Sequence, residues 1–146
     1  MAVPLTSRPL DLVYLVYFMT HIPITILIDT YPILPKQLVP DSITRINQWY
    51  KDFTADPNYN FEPMWFMSFL IIELFLHLPF FFYAINGLVK DSPSLRLPLL
   101  IYATETATST FAVLASLIFE HHAALTDEKK YFLISVHLPY LFLPLV

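Results

Sequence analysis

Apolar residues dominate a run from Trp65 to Ile85 that is long enough to cross a bilayer, and it carries two ionisable groups, Glu73 and His77. The two stand at i, i+4 and share one face of a helix. Inside hydrocarbon such groups cost several kcal/mol unless they find partners or a cavity. A second apolar run ends near Leu27, carries His21 and closes on Asp29. A third, Leu95 to Phe119, carries Glu105. Three apolar segments that each bring an ionisable group to the slab predict a helical membrane bundle with a polar pocket at its centre.

The pattern places spans at about 10–28, 63–89, 95–119 and 131–146. The last falls short of the ~20 residues a crossing needs, so either a sequence cut inside its fourth span or a short, tilted span is expected, the former being favoured. Pro23 interrupts span one, and a kink is expected near His21. The carbonyl of Met19, freed there, would call on Thr20, His21 or Thr25. Pro79 does the same to span two beside His77. Pro63 suits a first helical position, and Pro139 and Pro144 fall in span four.

Between spans one and two, residues 30–62 form a long capping connection. Asp41 or Ser42 is expected to cap an amphipathic helix over Ile43 to Phe53, with Ile46, Trp49, Tyr50 and Phe53 on one side at the membrane–water boundary. Asp56-Pro57 reads as a turn. Glu120-His121-His122 reads as the exit of span three to water, and Thr126 to Lys130 as a charged loop. Adjacent histidines point to different faces, so His121-His122 reads as solvated loop and no metal site is expected.

Composition agrees. The chain of 146 residues is 56% hydrophobic and 14% charged, with a mean hydropathy of +0.57. That is too little charge to clothe a soluble domain of this size. The net charge of −4 comes without any basic run, which argues against nucleic acid. With no cysteine, neither disulfides nor thiolate chemistry arise. A single glycine leaves no phosphate-cradling loop, and no cofactor is expected. The N-terminal run continues past Tyr14 and Tyr17 without a small-residue cleavage site, so it reads as a retained span rather than a signal peptide.

The candidate chemistry collects in the spans. His21, Thr25 and Asp29 step along span one at i, i+4, i+8, and Glu73 and His77 face inward from span two. Glu105, Thr106, Ser109 and Thr110 are the polar positions of span three, with His137 and Tyr140 in span four. The alternatives are a polar clasp between helices for Glu73 and His77 and for the Thr and Ser positions, solvation at the interface for Asp29, and a simple hydrogen bond for His137.

His21-Ile22-Pro23-Ile24-Thr25, Asp29, Trp49-Tyr50, Asp56-Pro57, Trp65-Phe66, Ser68-Phe69, Glu73-Leu74 and Leu78-Pro79-Phe80-Phe81 resemble the EXPERA family of four-span membrane proteins. Pro139-Tyr140 extends the likeness into span four. The resemblance covers nearly the whole chain and is stronger to the receptor branch than to the sterol isomerase branch. It implies a four-transmembrane-helix bundle with Pro-kinked helices, one domain over 1–146, and both termini in the cytosol. It implies residence in the endoplasmic reticulum membrane, with the nuclear envelope and endolysosomal membranes as further locations. Homodimers, a pocket open toward membrane lipid, and sterols or cationic amphiphilic amines as ligands are implied as well, with a role in sterol homeostasis.

By resemblance, Asp29 pairs with the ligand's protonated amine, Asp56 supports it from the long loop, and Glu73 is the matching glutamate. His21 and His77 complete the polar floor, and Thr110, Val136 and Tyr140 shape the walls. His77 stands for a glutamine, Glu105 for a histidine and His137 for a tyrosine. The isomerase pattern asks for an acid at Thr25 and for Asn and Trp at His137 and Tyr140, so it is incomplete here. A receptor is expected. An isomerase-like enzyme using Glu73 with another acid, and a trafficking adaptor for a sterol-transport membrane protein, are the alternatives.

Overall fold

The computed structural model describes residues 4–123 and 125–146, and among these the regular structure is helical throughout. Helix α1 covers Pro9–Ile24 and runs on through a π-helical turn, Thr25–Asp29. Helix α2 (Asp41–Thr54) and the short α3 (Pro57–Phe61) make up the connection. Helix α4 (Met64–Ile72) passes through a second π-helical turn, Glu73–His77, into α5 (Leu78–Val89). Helix α6 (Arg96–Phe119) and α7 (Asp127–Phe142) complete the bundle, α7 ending in a 3-10 turn, Leu143–Leu145.

Among the described residues, three continuous helical stretches are long and apolar enough to cross a membrane: Pro9–Asp29, Met64–Val89 and Pro93–Phe119. These follow the apolar runs closely. The fourth helix starts earlier than its apolar run, because Thr126 accepts from the Lys129 N–H and caps it. Asp127 to Lys130 therefore form a helical first turn and not a loop.

Pro23 does not break α1. The distortion falls just after it, where Thr30 N–H reaches back five residues to the Thr25 carbonyl. In span two the π turn falls just before Pro79, and the Leu78 N–H reaches Glu73. A proline ring displaces the carbonyls of the preceding turn, and at Pro79 the widened turn before it absorbs the misfit. Thr20 donates to the carbonyls of Val16 and Tyr17, at 2.9 and 3.0 Å, rather than to that of Met19.

The connection is an ordered cap. Pro40, and not Asp41 or Ser42, holds the N-cap position of α2, and Pro63 likewise precedes α4 instead of opening it. Asn47 is buried and donates at 2.7 Å to the Leu27 carbonyl, one of those a helix C-terminus leaves unpaired. This bond pins α2 to the end of span one. Trp49 and Phe53 stack on the exposed face and Phe53 meets Phe132 of α7, while Tyr50 turns inward. Ala55 closes α2 in the left-handed region at φ 51°. Lys129 donates to the Asp52 carbonyl at 3.0 Å, joining α7 to the cap.

Two apolar clusters hold the bundle. One is aromatic and packs α1 against α5 and α6 through Tyr14, Tyr17, Phe18, Phe81, Ala84, Leu88, Leu95 and Tyr102. Phe18 and Phe81 are fully buried there, and the Tyr17 and Tyr102 hydroxyls meet at 2.7 Å. The other lies under the cap and comprises Tyr59, Phe66, Leu70, Val113, Leu117 and Leu133.

Candidate ligand-binding pocket

Between the two clusters lies a cavity of about 260 Å³, lined from every long helix and from the cap. Its polar residues come from the two π turns and their surroundings. From α1 come His21 and Asp29; from the α4–α5 turn, Glu73 and His77; from α6, Thr106, Ser109 and Thr110; from α7, His137 and Tyr140; from the cap, Tyr50 and Tyr59. Ile24, Ile28, Phe66, Phe69, Leu70, Val113 and Val136 supply the apolar wall.

His21 Nε2 lies 3.1 Å from Glu73 Oε1, and Thr25 donates its hydroxyl to the same oxygen at 2.7 Å. The Tyr59 hydroxyl donates to Asp29 Oδ1. One donor atom from each of His21, Asp29 and Glu73 can be chosen so that all lie within 4.8 Å of one another. Two carboxyls and one imidazole thus meet at one place in the cavity wall. The arrangement suits a single positive group in an otherwise apolar chamber. A histidine and two carboxylates are also a donor set that divalent metals accept; the three residues were expected together at the ligand site, but not as a metal-binding set.

The surroundings fix the polar groups in place. The His21 ring stacks on Phe81 and meets Tyr140 edge-on, each at a centroid distance of 5.0 Å. His77 Nε2 lies 2.6 Å from Glu105 Oε2. His137 Nδ1 lies 2.8 Å from the Leu133 carbonyl, which can only accept, so Nδ1 carries a proton. Burial, and after it the neighbouring Asp29 carboxylate, pushes the Tyr59 phenol well above its ordinary range. Tyr59 therefore remains a donor at every physiological pH.

His21, Asp29, Glu73, His77, Thr110, Val136, His137 and Tyr140 all line the cavity. Three other candidates stand outside its lining. Thr25 is fully buried behind Glu73 and acts through that hydrogen bond. Glu105 lines a neighbouring groove and touches the pocket through His77. Asp56 is 1% exposed at the N-cap of α3, where it accepts from the Asn58 N–H at 2.9 Å. Burial raises its carboxyl above the usual aspartate range, against the opposing pull of His137. Asp56 therefore sets the position of Tyr59, three residues on, rather than facing the cavity. Tyr59 and Tyr50 were not anticipated. The Asp56-Pro57 pair is a cap-and-first-position signature, and reading it as a helix start instead of a turn would have put Tyr59 on an inward helix.

The family described as EXPERA (EXPanded EBP superfamily) matches residues 42–146. The chain is 35% identical over 156 residues to Sigma intracellular receptor 2 of Macaca fascicularis, covering 100% of this chain and 89% of that protein. The Homo sapiens receptor of the same name is 33% identical over the same shares. Efficient mitochondria targeting-associated protein 19 of Saccharomyces cerevisiae is 30% identical, covering 90% of this chain and 91% of its own length.

Proposed function

The chain belongs to the EXPERA family, and we propose that it serves there as an intramembrane receptor for sterols or cationic amphiphilic ligands. The observation that carries this reading is the meeting of His21, Asp29 and Glu73, two carboxyls and an imidazole, at the floor of an apolar cavity. A ligand with one protonated amine and an apolar body would place its charge on Asp29, whose Oδ1 is held by Tyr59. Glu73, fixed by His21 and Thr25, would share that charge. Val136, Thr110 and Tyr140 would enclose the body. A neutral sterol would use the same walls and offer its hydroxyl to the carboxylates.

In this proposal the protein resides in the endoplasmic reticulum membrane and acts in sterol homeostasis as a homodimer. The helix Asp127–Phe142, continued by Leu143–Leu145, is its fourth span. The likeness to receptors named as intracellular supports this placement.

Asp29→Asn is the direct test. It keeps the Tyr59 acceptor and removes the charge. Amine ligands should lose about 2–4 kcal/mol, the scale of removing one partner from a buried charge pair. A neutral sterol measured on the same purified protein should lose much less. Equal losses for both ligands would overturn Asp29 as the charge partner.

A further inference from the structure

Beside the pocket, on the outer face of α6, lies an open groove of about 580 Å³ lined by Phe69, Ser109, Thr104, Glu105 and Thr108, with Leu100 and Ile101 at its rim. Phe69 and Ser109 line the inner cavity too, so these two residues are the shared wall between the chambers. The inner cavity, at about 260 Å³, falls below the range of roughly 300–1,000 Å³ that encloses drug-sized ligands. A sterol-sized body anchored at Asp29 must therefore extend beyond it.

The polar groups of the groove have one sense. Thr104 donates its hydroxyl to the Leu100 carbonyl at 2.8 Å, Thr108 to that of Thr104 at 2.7 Å, and Ser109 to that of Thr106 at 3.2 Å. Each hydroxyl proton is committed to the helix's own backbone, and what faces outward is oxygen lone pairs. Glu105 turns its buried Oε2 toward His77 at 2.6 Å, and the 30% exposure of its side chain is carried by its other atoms on the groove side. The groove thus presents hydrogen-bond acceptors, one of them a carboxylate, within an apolar frame.

We propose that this groove is a second subsite for the far end of the ligand bound at Asp29, and that it selects an end bearing a hydrogen-bond donor, a hydroxyl or a second amine. The ligand passes Phe69 and Ser109, with its cationic head on the Asp29–Glu73 floor and its donor on Glu105. The preferred ligand is an amphiphile polar at both ends. This deepens the receptor reading and rests on it.

Two probes of equal length test it: dodecylamine, with one cationic end, and 12-amino-1-dodecanol, with a donor at the far end as well. Affinities are measured on the full chain in lipid nanodiscs. Glu105→Leu should weaken 12-amino-1-dodecanol about tenfold more than it weakens dodecylamine, the scale of a hydrogen bond to a charged acceptor, with any effect passed through His77 common to both probes. Retained dodecylamine binding shows that the variant is folded. Glu105→Gln, which keeps an oxygen acceptor, should recover part of the loss. Phe69→Trp, which thickens the wall between the chambers, should weaken both long probes more than it weakens hexylamine. If Glu105→Leu changes both long probes equally, the second subsite is overturned while the receptor reading stands. If neither probe binds the unmodified chain, the receptor reading fails and this inference fails with it.

Discussion

The same two helices, α1 and the α4–α5 pair, behave differently at their two ends. Where α1 meets α5 at one end, the backbone is regular and the contact is aromatic. Phe18 and Phe81 are completely buried and their rings lie 5.5 Å apart. Where α1 meets the α4–α5 junction, both backbones widen into π turns, and the contact is Thr25 to Glu73 and His21 to Glu73. Regular helix lets side chains close-pack and leaves no chamber. The widened turns move carbonyls and side chains off the regular register and open one. The aromatic end holds the bundle together so that the polar end can afford its cavity.

The comparison breaks most sharply at the aromatic end. Phe81→Ala should destabilise the protein by about 3–5 kcal/mol, the cost of emptying a fully buried aromatic site, as read by thermal unfolding in detergent. It should lower affinity for amines and neutral sterols alike. A selective loss of amine binding with unchanged stability would contradict the division of labour between the two ends.

At the polar end, Thr25→Val keeps the shape of the side chain and removes the hydrogen bond to Glu73. A buried hydrogen bond to a carboxylate is worth about 1.5–3 kcal/mol. The loss should fall on amine affinity more than on unfolding, because His21 still holds Glu73. Thermal shift with and without a saturating amine separates the two effects.

Asp56 sharpens the comparison at the smallest scale. Burial raises its pKa in the folded protein, so folded Asp56 holds a proton that the unfolded chain releases. Its contribution to stability is therefore fully present below the unfolded value, near pH 3.8, and is lost as pH rises through the folded value. Asp56→Asn keeps the cap for the Asn58 N–H and is uncharged throughout. Compared with the parent over pH 4 to 7, the variant should lose up to about 1.4 kcal/mol per pH unit of downward slope. Parallel stability curves for the two proteins would remove Asp56 from the titrating groups.

Much of this was legible along the chain. The three apolar runs located the three long helices, and the ionisable residues inside them, Asp29, Glu73, His21 and His77, do meet at one cavity. A charge in an apolar run is expensive, so its position is informative. What stayed hidden was where the widened turns would fall, since Pro23 and Pro79 are followed and preceded by their π turns respectively. Also hidden was the inward side of the cap. Asn47 is polar in an amphipathic helix, and its burial depends on a carbonyl of another helix. Tyr59 donates to a residue 30 positions away. Such pairings depend on how the helices cross, which periodicity within one helix does not encode.

The two π turns carry a consequence for how such a chain can change over time. A π turn holds one residue more than the α-turn it replaces, and a single residue rotates an α-helix by about 100°. Removing one position between Glu73 and His77 would let the widened turn close to an ordinary α turn, with α4 held by the cap and α5 by its aromatic neighbours keeping their phase. Point substitutions can retune this pocket one side chain at a time. A one-residue deletion would instead erase the widened turn and change which side chains it presents to the cavity, while the span shortens by only one residue.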